Sequence, residues 1–135
     1  MQWKQECEKA VLKLTLEEVD IGLFLLGRQF DQAMRQMLEV ARDSGSLPVL
    51  DGHINKLQNR IDWALNQGVF RDKATLNLLR IERNERGHEP PTLNERRAIM
   101  KFAPFLAGLY LDYLILIQDR IDGTISGRAH QMPGA

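Results

Sequence analysis

Proton transfer near neutral pH falls most naturally to histidine, whose unperturbed pKa is about 6.5. The chain has three: His53, His88 and His130. His53 opens a helical segment with no evident partner, and His130 falls in the last few residues. Neither stands in a Cys, His or carboxylate pattern with metal-ligand spacing. Phosphate-cradling glycine loops, nucleophile elbows and H-E-x-x-H pairs are also missing from the sequence. His88 remains. It closes the run Arg83-Asn84-Glu85-Arg86-Gly87-His88, which brings a cation suited to phosphate, a side-chain amide and a proton carrier within six residues. With no metal-ligand cluster, no cofactor is expected.

The run has a plainer reading. Helix C-termini favour cations, because the dipole is negative there, and glycine just beyond the last turn. Arg83, Arg86 and Gly87 fit that description without any chemistry. Two features weigh against it. Arg83 continues the apolar stripe begun by Leu76 and Leu79, where a charge needs a specific partner, a groove or an interface. Gly87 also allows the chain to turn, so that His88 can fold back toward Arg83. In a straight helix a residue five positions on would point to a different face.

Helices must position these residues. No alternating β-branched run bounded by turns is present, so no sheet is expected. A short first helix is predicted over Gln2 to Leu14. Thr15-Leu16-Glu17-Glu18 is a capping box that starts a new helix or marks a bend. A helix to about Asp43 carries Leu16, Val19, Leu23, Leu26, Phe30, Met34, Met37 and Ala41 at three- and four-residue steps. Gly22 and Gly27 inside it permit close helix contacts. A second helix from about Gly52 presents Ile54, Leu57, Ile61, Ala64 and Leu65, and Gly68 ends it. Asp72 caps a third through about Arg86, stopped by Gly87 and Pro90-Pro91. Thr92 to Glu95 is a further capping box, opening a last helix to about Ile121 with a kink at Pro104. The fold class expected is all-α: an up-and-down bundle of four main helices plus a short N-terminal helix, one domain over 1–121 and a flexible tail over 122–135.

At 135 residues the chain is long enough to bury a core without disulfides or metals. Lys+Arg and Asp+Glu both number 18, and this balance argues against tight non-specific binding along nucleic acid, which needs many phosphate contacts. A local basic site remains compatible. Between Arg80 and Lys101 there are six cations (Arg80, Arg83, Arg86, Arg96, Arg97 and Lys101) against Glu82, Glu85, Glu89 and Glu95. That is either a solvated face or an RNA-contacting patch. Asp112, between apolar neighbours, marks a bundle edge. The single cysteine, Cys7, fits a reducing compartment. The N-terminal segment is charged throughout, unlike a secretory signal. Phe102 to Ile117 is short of the ~20 residues of a membrane span and is interrupted by Pro104, Gly108 and Asp112. A cytoplasmic protein without a membrane partner is expected. The apolar residues of the last helix cover most of its faces, which points to a homodimer.

The Arg83–His88 run, with its place in the helix order, resembles the HEPN family. These helical bundles are marked by an arginine, a polar residue (often Asn) and a histidine a few residues on. Leu26 to Glu39 looks like the first long helix of that family, and Ile61 to Lys73 like the turn before its motif helix. The motif is followed, as in the family, by a loop and a long apolar helix. The resemblance covers roughly Val19 to Ile121. It implies a metal-independent endoribonuclease, in a toxin–antitoxin or phage-defence setting, with an antitoxin or other partner protein. His88 would be the acid–base residue, Arg83 would contact the scissile phosphate, and Asn84 would orient one of the two. Arg80, Arg86, Arg96 and Arg97 would contact RNA. Two motifs usually meet across a homodimer in this family. A subset of its toxins has a tyrosine two residues after the histidine, where this chain has Pro90. The alternative within the family is a non-catalytic dimerisation or partner-binding module.

Overall fold

The computed structural model describes residues 2–85 and 90–131, with side chains for 3–85 and 90–127. The described residues contain six helices and no strand: α1 (Gln2–Leu12), α2 (Val19–Ser44), α3 (Asp51–Ile54), α4 (Leu57–Asn66), α5 (Lys73–Glu85) and α6 (Leu93–Gln131). The all-α class is therefore established. Four of these helices were expected as main elements, and the surplus arises at the second. In place of one helix from Gly52, the chain breaks at Lys56, whose backbone is extended (φ −133°, ψ 150°). Side chains take over the carbonyls that a continuous helix would bond. Asn59 Nδ2 donates to Gly52 O at 3.0 Å and Arg60 Nε to Ile54 O at 2.6 Å.

Helix ends follow the expected chemistry. Gly68, at φ 70°, closes α4: its N–H donates to Leu65 O and the next, that of Val69, to Ala64 O. This is the paired bonding that a left-handed residue permits after a last turn. At the start of α6, Thr92 N donates to Glu95 Oε1 and Glu95 N to Thr92 Oγ1, the reciprocal capping box. Thr15 to Glu18 form a turn, Glu18 N donating to Thr15 O, and α2 begins just after it.

The last helix runs farther than the expected end near Ile121. It continues through Pro104 and on to Gln131. Glycines such as Gly123 and Gly127 weaken a helix without ending it. Buried Ile121 and the bond from Thr124 Oγ1 to Arg120 O carry the helix across that boundary. The part of the tail expected over 122–135 that is described is thus helical. Within α6 the stretch Leu93–Gly127 is long and apolar enough to cross a membrane by length and composition. The same stretch supplies Ala103, Ala107 and Tyr110 to the protein core.

The chain divides into two compact units. The first comprises Met1–Phe30 and Ala74–Tyr113, and the second Asp31–Lys73 and Leu114–Ala135. The first unit is built on the stripe of α2 read from the sequence: Val19, Leu23, Leu26 and Phe30 are fully buried, with Leu76 and Leu79 of α5 and Tyr110 of α6. Phe30 packs its ring against Tyr110 and Tyr113, with centroids 5.8 and 6.2 Å away. Gly22 lets α1 close on α2, because a Cβ there would lie 2.8 Å from Ala10 O. The second unit buries Met34, Leu38, Ile61, Ala64 and Ile117. Trp63 closes it by donating Nε1–H to Pro48 O at 2.8 Å.

Candidate functional site

Arg83 sits near the C-terminal end of α5, and the apolar stripe delivers it to α2. Leu76 and Leu79 are fully buried, and Arg83, one turn on, is half-buried. Its Cζ lies 5.0 Å from the centroid of the Phe24 ring, over the ring face. Such a cation–π contact stabilises by about 0.5–1 kcal/mol. The approach depends on Gly27: a Cβ there would lie 2.7 Å from Arg83 Cδ and 3.2 Å from the Tyr110 hydroxyl. Tyr110 is itself fixed, donating its hydroxyl to Leu79 O at 3.2 Å. One glycine of α2 therefore seats a residue of α5 and a residue of α6 together. For Arg83, expected to have a specific partner, a groove or an interface, the structure supplies the Phe24 ring, with Gly27 and Tyr110 beside it.

Asn84 follows on the exposed side of α5. His88, Arg86 and Gly87 lie outside the described residues. Glu82, one residue before Arg83, is buried at 6% exposure. From the sequence it counts among solvated charges. Its place beside the Leu76–Leu79–Arg83 stripe is the signal that could have found it, since residue 82 is three positions after Leu79.

The other arginines differ among themselves. Arg97 is exposed. Arg80 is half-buried, and its Nε is buried without a hydrogen-bond partner among the described residues. Arg96, in the first turns of α6, is also half-buried, and its Nε stands 3.6 Å from Asp20 Oδ1. Nothing in the sequence singles out Asp20. Asp112 is exposed, as the bundle-edge reading expected. His53 is engaged within the fold, where its Nδ1 accepts the Leu50 N–H at 3.0 Å at the start of α3.

No group of three or more His, Cys, Asp or Glu that could hold a metal ion exists among the described residues. The second unit has an open cleft of about 340 Å³ lined by residues of α2 and α6, including Ser44, Asp119, Arg120 and Thr124. Its hydroxyls are already engaged in the chain's own bonds, Ser44 with Ala41 O and Ser46, and Thr124 with Arg120 O. Comparison with known proteins returns no matching family, no matching curated protein and no matching solved structure.

Proposed function

We propose that the chain is a HEPN-type, metal-independent endoribonuclease built on an up-and-down helical bundle. The observation that carries this reading is Arg83, a cation seated on a ring face and against a glycine, one residue from an exposed amide. Such seating fixes a guanidinium in advance, which is what stabilising a developing phosphate charge requires. In the reaction His88 takes the proton from the ribose 2′-OH. The 2′-oxygen attacks phosphorus, the bond to the 5′-oxygen breaks, and a proton is returned to that oxygen. Arg83 contacts the phosphate oxygens, Asn84 orients it or His88, and Arg80, Arg86, Arg96 and Arg97 hold flanking RNA. The products carry a 2′,3′-cyclic phosphate and a 5′-hydroxyl. A cytoplasmic homodimer in a toxin–antitoxin or phage-defence system, restrained by a partner protein, is the setting that goes with this reading.

The test is cleavage of single-stranded RNA in a chelator. His88→Ala and Arg83→Ala are each expected to lower the rate by about a hundredfold or more, with the helical circular dichroism unchanged. Arg83→Lys also fails, because an ammonium lacks the planar two-pronged contact. Cleavage that survives His88→Ala ends the catalytic assignment.

A second reading, a non-catalytic dimerisation or partner-binding module, is favoured by one observation. Phe102 and Phe105 of α6 are 61% and 62% exposed, and Leu116 on the same side of the helix is 49% exposed. This reading expects no cleavage by the wild type and a monomer on replacing both phenylalanines by serine.

A further inference from the structure

The face of α2 that seats Arg83 extends one turn toward the helix N-terminus. Asp20, Phe24 and Gly27 follow at four- and three-residue steps, so they share one side of the helix. Arg83 of α5 lies over Phe24 and Gly27, and Arg96 of α6 approaches Asp20. By the rise of an α-helix, Asp20 and Phe24 are about 6 Å apart along the axis. Two guanidinium groups from different helices thus attend positions one turn apart on α2. That separation is on the order of one extended nucleotide.

The Asp20–Arg96 contact has an unusual quality. At 3.6 Å from Nε to Oδ1 it is an ion pair but longer than a hydrogen bond should be. Both atoms are buried, and neither has a hydrogen-bond partner among the described residues. The two side chains are 29% and 19% exposed, so the pair sits at the edge of solvent. Desolvated polar atoms left without a hydrogen bond are costly, and an oxyanion offering more acceptors would satisfy Arg96 better.

We propose that Arg96 and Arg83 form a seat for two successive phosphates of a single-stranded RNA backbone, and that Asp20 is the internal anion which holds Arg96 in place until a phosphate displaces it. This rests on the ribonuclease reading only for the identity of the strand. Asp20 is a positioning residue: it touches Arg96, not the reacting atoms.

The test is binding of a short single-stranded oligonucleotide with 2′-O-methyl sugars, which cannot be cleaved, by fluorescence anisotropy. Asp20→Asn keeps the side-chain shape and removes the competing charge. It is expected to tighten binding about three- to tenfold. Arg96→Ala weakens binding, and in the double variant the gain from Asp20→Asn vanishes, because the residue released by that change is gone. A gain of equal size in the Arg96→Ala background overturns the proposal, since it reports only a change in overall charge. Failure of the wild type to bind, or weaker binding by Asp20→Asn with an unchanged melting temperature, overturns it as well. Coupling between positions 20 and 96 without RNA cleavage would retain the seat and remove the nuclease. Cleavage without coupling would do the reverse.

Discussion

The two units each hold an arginine against α2, and they hold it in opposite ways. In the second unit Arg60 is 7% exposed and its donors go to the chain itself. Nε bonds Ile54 O, while Nη1 bonds Asp31 O and pairs with the Asp31 carboxylate. It ties the break between α3 and α4 to α2. In the first unit Arg83 is half-buried, and what positions it on α2 is a ring face and the missing side chain of Gly27. Hydrogen bonds to carbonyls hold an arginine by its donors, whereas a ring face holds the guanidinium by its flat side. The difference separates an arginine anchored by its donors to the backbone from one laid across a ring beside a glycine.

Replacement of Arg60 should have the largest effect on stability. Arg60→Ala removes the bonds to the Ile54 and Asp31 carbonyls and the pairing with the half-buried Asp31 carboxylate, at a cost of about 1–3 kcal/mol. The melting temperature is expected to fall on the order of 10 °C. Arg83→Ala, the change used above to test cleavage, removes a cation–π contact and stem packing at a half-buried position and should move it by only a few degrees. Equal losses at the two positions would erase the distinction.

Gly27→Ala sharpens it from the other side. Alanine is favoured over glycine in a helix by about 1 kcal/mol. The new methyl would meet Arg83 Cδ at 2.7 Å, and crowding of this kind costs about 1–3 kcal/mol. A near-cancellation in melting temperature together with a clear fall in RNA cleavage is expected, because the displaced group is the guanidinium seat. A normal rate in this variant would mean that the position of Arg83 is not what matters.

The smallest effect concerns Cys7, buried in α1 of the first unit. Burial, with a lesser contribution from Glu6, pushes its thiol up to about 11 from an ordinary value of 9.0. Because the folded value is the raised one, its contribution to stability is complete below pH 9 and is lost as pH climbs toward 11. A thiol-reactive dye at pH 8 is expected to label the folded chain far more slowly than the chain in urea. Equal rates would show that α1 opens readily.

Much of this was legible in the residues. The stripes of α2 and α5 led from Leu76 and Leu79 to Arg83, and the Thr92–Glu95 box marked the start of α6. Period and capping are local properties, so a single sequence displays them. The break at Lys56 was not legible, because it depends on Arg60 and Asn59 reaching back to Ile54 and Gly52 in the folded chain. Phe24 and Asp20 escaped notice for a similar reason, and Tyr110 counted only among the apolar residues that cover most faces of the last helix. Each looks ordinary within its own helix and gains its role only when another helix brings an arginine or a carbonyl to it. The helical extent of α6 past Ile121 was hidden by composition: Gly123, Ser126 and Gly127 suggest a tail, but none of them forbids a helix.

Gly27 has a last consequence, for which changes the chain can accept. Two of its glycines are required for unlike reasons. Gly68 needs a left-handed backbone but has nothing within 4 Å of a would-be Cβ. Asparagine, which tolerates that backbone, is the natural substitute there. Gly27 sits in an ordinary helix where any residue could adopt the backbone, yet the space is taken. Its tolerance is set by the size of residues 83 and 110, not by its own geometry. A smaller side chain at position 83 would free position 27 to vary, so the two are expected to drift as a pair, and position 68 would drift alone.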